Sequence, residues 1–227
     1  MKRLGYLLFA VLAMILMLGG NALASAPVNQ GDGSYYFVTY YSNANTSGAP
    51  DGTLRIVNDA GYTGCVALKG DTECIDDPPL WADIYVFDDS QEMRSCCACQ
   101  ITSDGLLSES VNKELTANEF TGRGQIARGV IKVVSSSNWD PTNPWPVSGL
   151  RGFMTHIQAT TTTFPAPGPG NAVNAAEKGP WFVTEDPLAD SNLSPTELGN
   201  LGTLCSYGLT IGSGYGLCPC TLEDYDF

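Results

Sequence analysis

Apolar positions in this chain recur mainly with the two-residue period of strands, in short runs separated by turn residues. Tyr35–Tyr41, Thr53–Val57, Cys65–Leu68, Val130–Val134, Leu150–Ala159 and Trp181–Glu185 read as strands, because β-branched and aromatic side chains gather there. Gly, Asn, Ser, Asp and Pro fill the gaps between them. The strongest stretch is Ala82–Cys99 (ADIYVFDDSQEMRSCCAC). Ile84 and Val86 with the rings of Tyr85 and Phe87 are apolar on both faces, so this run reads as a central strand. Asp88-Asp89-Ser90 supplies a turn, after which the chain passes into Cys96, Cys97 and Cys99. If those cysteines lie on a strand, Cys97 and Cys99 share one face and Cys96 takes the other.

Helical signals are few. Ser194-Pro195-Thr196-Glu197 has the form of a capping box with proline at the first helical position, and Leu198, Leu201, Leu204 and Cys205 then fall on one face. Gly199 and Gly202 each weaken such a helix by about 1 kcal/mol relative to alanine, so packing must hold it. Leu107, Val111 and Leu115 also have helical spacing over Leu106–Thr116, against which stand Ser108, Ser110 and Asn112. No period of 20 to 50 residues is visible, which argues against solenoids and propellers. The expected fold is therefore mainly all-β: an antiparallel β-sandwich with one short C-terminal helix, stabilised by disulfides.

Two segments are irregular. Asn138–Val147 (NWDPTNPWPV) contains three prolines and two tryptophans and reads as an ordered aromatic loop. Its rings, Trp139 and Trp145, either form a possible ligand-binding face for a sugar or peptide or fold inward to plug the sandwich; the sequence leaves both open. Residues 160–172 (TTTTFPAPGPGNA) read as a surface loop rich in Thr, Pro and Gly, inserted within one domain.

The N-terminus alters the picture. Lys2-Arg3, the apolar run Leu4–Leu18 and Ala22-Leu23-Ala24 form a secretory signal peptide over residues 1–24. Residues 25–227 then make a single secreted β-rich domain, extracellular or periplasmic after cleavage. No second run is long and apolar enough to span a membrane. The chain is acidic, with a formal charge of −13 that becomes more negative by two when Lys2 and Arg3 leave. Such a chain repels phosphate backbones, so nucleic acid is excluded as a partner, and an extracellular ligand or self-assembly is expected instead.

All eight cysteines (Cys65, Cys74, Cys96, Cys97, Cys99, Cys205, Cys218 and Cys220) follow the signal peptide, and export makes disulfides the first reading. A local Cys65–Cys74 bridge would close a hairpin. For the rest, one arrangement pairs Cys97 and Cys99 with Cys218 and Cys220 and sends Cys96 to Cys205 behind them. A rival arrangement gathers the same thiolates around Zn or Cu(I), and a thioredoxin-like redox site fits less well.

Catalytic signatures are sparse. G-x-S-x-G, H-E-x-x-H and the phosphate-binding G-x-x-x-x-G-K-[ST] are missing. His156 is the single histidine and reads as structural. Paired-carboxylate catalysis leaves no motif; Asp83, Asp88, Asp89, Glu92 and Glu185 are its candidates. The acidic pairs Asp76-Asp77 and Asp88-Asp89, with Glu185-Asp186 and Glu223-Asp224, lack the calcium-loop pattern. Asn45 and Asn192 match the glycosylation acceptor. The terminal Tyr225-Asp226-Phe227 resembles the ending of outer-membrane barrels, which need more and longer strands than this chain offers.

With YVFDDSQEMRSCCAC at its centre, LRGFMTHIQ at Leu150–Gln158 and a closing SPTEL…GSGYGLCPC, the chain resembles a group of uncharacterised exported bacterial proteins. The resemblance covers roughly Ala82–Cys220 and implies export and a bridged domain. The group has no assigned activity, so it transfers no functional residue. The expected function is a secreted, non-catalytic binding or assembly role at the cell exterior, with no cofactor. A paired-carboxylate enzyme and a cysteine-cluster metal or redox protein are the alternatives.

Overall fold

A computed structural model describes residues 34–68, 71–117, 126–159, 181–211 and 220. The signal peptide, the 160–172 loop, Cys218 and the terminal Tyr225–Phe227 lie outside these residues. Among the described residues eleven strands form: β1 (Tyr36–Tyr41), β2 (Thr53–Asn58), β3 (Thr63–Leu68), β4 (Asp71–Asp76), β5 (Leu80–Asp88), β6 (Met93–Ile101), β7 (Leu106–Ser110), β8 (Gly129–Ser136), β9 (Leu150–Ala159), β10 (Trp181–Pro187) and β11 (Ala189–Asp190). One helix, α1 (Pro195–Ile211), follows.

The strands build a five-stranded sheet in the order β11-β1-β8-β5-β6, a four-stranded sheet in the order β10-β9-β2-β7, and the hairpin β3-β4. Every strand pair is antiparallel. The larger core lies between the two sheets, where Leu54 and Ile56 of β2 and Met154 of β9 meet Ile84, Val86, Ile131 and Val133. A second, smaller core lies on the opposite face of the five-stranded sheet, where Tyr36, Tyr85, Phe87, Cys96 and Val134 meet Leu201 and Cys205 of α1. The molecule is thus layered sheet, sheet, helix, and β5 is covered on both faces along all nine residues. That double burial explains its unbroken apolar run.

Three elements differ from the sequence expectation. Leu106–Ser110 is strand, paired with β2 through Ile56 and Leu107, and only Val111–Leu115 turns helically, in a wide turn that Thr116 closes onto the Val111 carbonyl (2.9 Å). Helical spacing is overridden because Leu107 and Glu109 also fit a strand alternation that a neighbouring strand can pair. The exposed strand β4 carries almost no apolar signal and is held by β3 and the Cys65–Cys74 bridge. At the start of α1, Ser194 caps the Glu197 N–H (3.1 Å) as expected. The Glu197 carboxylate, however, accepts from Tyr36 (3.2 Å) and pairs with Lys132 (2.5 Å), which ties α1 to the sheet. Leu204 is 43% exposed, so the buried stripe of α1 is narrower than its pattern of leucines suggests.

Candidate functional site

The cysteines are placed by the alternation of β6. Cys97 and Cys99 face the inter-sheet core, Cys96 the helical layer. Cys96 bonds Cys205 of α1, Cys99 bonds Cys220, and Cys65 bonds Cys74 across directly opposed positions of β3 and β4. Cys97 is disulfide-bonded as well, and no described cysteine is free. The sulfurs of Cys97, Cys99 and Cys220 do lie within 4.8 Å of one another, the one such cluster of ligating groups among the described residues. In this oxidised state the three sulfurs belong to disulfides and are not the thiolates that hold a metal ion. Disulfides of this number are typical of extracellular proteins. No helix among the described residues is long and apolar enough to cross a membrane.

The loop Asn138–Val147 is the most built irregular segment of the described chain. Its two legs run antiparallel, with Ser136 opposite Pro146, the Ser137 N–H on the Trp145 carbonyl (2.9 Å) and the Val147 N–H on the Ser135 carbonyl (2.9 Å). The Ser136 hydroxyl donates to the Asn138 carbonyl (3.0 Å) and accepts from the N–H groups of Asn138 (3.1 Å) and Trp145 (3.0 Å). Asn138 closes the tip by donating to the Asn143 carbonyl (2.7 Å). Asp140 accepts from the N–H and hydroxyl of Thr142 (2.9 and 2.7 Å), an Asx turn at the loop's apex. From below, the Tyr85 hydroxyl donates to the Pro141 carbonyl (2.8 Å). Pro144, Pro146 and Val147 are buried, whereas Trp139 and Trp145 remain 43% and 38% exposed. The rings therefore are not plugs; they are displayed on a framework whose backbone polar groups are largely satisfied internally.

Four of the five acidic candidates are paired with arginines, Asp88 and Glu92 with the same one. Asp88, at the β5–β6 turn, accepts from the N–H groups of Ser90 (2.8 Å) and Glu92 (3.0 Å) and pairs with Arg94. Burial opposes ionisation of Asp88, but these donors outweigh it and hold its carboxyl below the usual carboxylate range. Asp89 pairs with Arg128, Glu92 with Arg94 and Glu185 with Arg55. His156 stacks on Tyr40 with ring centroids 4.2 Å apart and lies 3.8 Å from Asp186. Burial lowers its pKa, and Asp186 and the Tyr40 backbone pull the other way without reversing this, so its imidazole is neutral at pH 7. These contacts give His156 a structural place at the β1–β9 junction. Of the two glycosylation acceptors, Asn45 has its amide engaged with Thr116 (3.0 Å) and the Ile126 carbonyl (3.1 Å), while Asn192 is exposed.

Asp83 differs from the other acids. It sits on β5 between Ala82 and Ile84, fully buried, and neither carboxylate oxygen has a hydrogen-bond partner. Burial pushes its carboxyl well above the usual range; Ser136 pulls the other way and Asp140 pushes in the same direction. Ser136 does not serve as its partner, since that hydroxyl is committed to Asn138. Alternation places Asp83 on the same face of β5 as Tyr85, beneath the tryptophan loop. A lone carboxylate inside a doubly apolar run was the signal for this burial.

No family model, curated protein or solved structure matches the chain.

Proposed function

We propose that this is a non-catalytic binding protein of the cell exterior, and that its ligand face is the loop Asn138–Val147. The observation that carries the reading is the pair of half-exposed indoles on a loop pinned by hydrogen bonds beneath them. Rigid, displayed aromatic rings bind flat apolar surfaces at little entropic cost, and sugar rings of a glycan present such surfaces. Asp88, Asp89 and Glu185 each answer to a different arginine, which favours this reading over a paired-carboxylate enzyme built on them. Assembly is the second reading. It is favoured by β10, an edge strand exposed on both faces, whose Phe182 and Val183 are 54% and 50% exposed.

The test is titration of the exported protein with a panel of neutral and acidic oligosaccharides, read by calorimetry, with light scattering to follow self-association. Wild type should bind at least one class, and Trp139→Ala or Trp145→Ala should each weaken binding about 5- to 30-fold, the equivalent of about 1–2 kcal/mol, with little change in stability. Binding that survives the double variant would remove the loop from the reading. A concentration-dependent dimer with no glycan binding would favour assembly.

A further inference from the structure

Asp83 and the tryptophan loop form one assembly. The loop covers the face of β5 that carries Asp83 and Tyr85, and its Asx-turn acid, Asp140, is close enough to disfavour a charge on both. We propose that Asp83 is a pH-sensitive latch for this loop, holding it against the sheet while the carboxyl is protonated and releasing it when the carboxyl ionises. The inference rests on the loop being the ligand face.

The surroundings of Asp83 give an ionised carboxylate no compensation. From its own strand it meets Tyr85, whose hydroxyl is directed to Pro141. From β8 it meets Ser136, which is directed to Asn138, and from the loop it meets Asp140, a like charge. Tyr36 of β1 lies behind Tyr85 and is directed to Glu197. Lys132 of β8 is paired with Glu197, Arg94 of β6 with Asp88 and Glu92, and Asp83 takes part in none of the ion pairs among the described residues. An ionised Asp83 must therefore draw in water. The sheet neighbours β6 and β8 are fixed by ladders along β5, and α1, the other cover of this face, is tethered by the Cys96–Cys205 bridge, so the loop is the cover that can lift. Lifting breaks the Tyr85–Pro141 bond and turns the displayed indoles away from their binding geometry. Because Asp83 titrates above the usual carboxylate range, the closed loop is favoured at acid pH and lost as pH rises through that elevated value. The ligand is then held in acid and discharged as the medium becomes less acidic.

The experiment needs no ligand, so its failure leaves the binding reading standing, and a failure of the glycan panel leaves the latch standing. The indole N–H resonances of Trp139 and Trp145 are followed from pH 4 to 9 in wild type, Asp83→Asn and Asp140→Asn, with the ring protons of His156 recorded as an independent titration. Wild type should show one inflection shared by both indoles and distinct from that of His156. Asp83→Asn should abolish it, and Asp140→Asn should move it to lower pH by removing the like charge. Should Asp83→Asn not fold, the direction of the Asp140→Asn shift decides alone. No shared inflection in wild type, one that persists in Asp83→Asn, or one unmoved in Asp140→Asn overturns the proposal.

Discussion

Gly202 and Gly199 look alike in the sequence, two helix-weakening residues three positions apart, yet they occupy opposite situations. A Cβ on Gly202 would lie 2.3 Å from the Thr142 carbonyl oxygen, so α1 approaches the tryptophan loop backbone to backbone at this point. A Cβ on Gly199 meets nothing within 4 Å. Gly202→Ala should therefore destabilise the protein by about 1–3 kcal/mol despite alanine's better helix propensity. Gly199→Ala should stabilise it by about 0.5–1 kcal/mol, and urea unfolding of the two variants checks both signs. Composition and propensity make the two glycines equivalent; only the approach of a loop more than fifty residues away separates them. The burial of Asp83 carried a local signal, a lone carboxylate within the apolar run of β5, although the groups around it, Ser136 and Asp140, come from far along the chain.

Among elements, α1 is the one whose attachment is narrow. It meets the sheet through Leu201 and Cys205, with Leu204 and Tyr207 left 43% and 62% exposed. The Cys96–Cys205 bridge spans 109 residues, for which chain entropy predicts a stabilisation of about 4–5 kcal/mol as an upper figure. Replacing both cysteines with serine should lower stability by several kcal/mol and undock α1 first. Amide exchange over 195–211 should lose its protection while β5 and β8 keep theirs, and loss of protection in both at once would contradict this order. The start of α1 was readable from Ser194 and Pro195, since capping is local. The destination of Glu197 was not, because Tyr36 and Lys132 compete for its carboxylate and are far away in sequence. The same contrast separates β5 and β9, whose patterns are self-sufficient, from β4 and β7, which exist because a partner strand pairs with them.

For the whole molecule, Asp88 and Asp83 give stability opposite dependences on pH. The folded pKa of Asp88 is depressed, so its contribution is present above the unfolded value and is lost as pH falls through the folded one. The folded pKa of Asp83 is raised, so its contribution is fully present below the unfolded value and fades as pH rises toward the folded one. Asp88→Asn should flatten the acid limb of a plot of unfolding free energy against pH, and Asp83→Asn the opposite limb; denaturant titrations across pH 2 to 9 separate them. The layered architecture was foreseeable as a bridged β-sandwich with a late helix. The placement of the tryptophan rings was not, because their orientation depends on Ser136, Asn138 and Tyr85 acting together.

Strand β6 imposes an order in time. Synthesis delivers the N-terminal side first, and Cys65 meets Cys74 only nine residues later, within about a second or two. Cys96 and Cys99 must wait 109 and 121 residues for Cys205 and Cys220, on the order of 5–25 s at ordinary elongation rates. A chain delivered during synthesis to an oxidising compartment would hold, throughout that interval, three closely spaced thiols on one strand, each able to attack the Cys65–Cys74 bond. Correct maturation thus favours a strand that zips into β5 before it oxidises, so that the pleat, by turning Cys96 away from Cys97 and Cys99, sorts the thiols before their partners emerge.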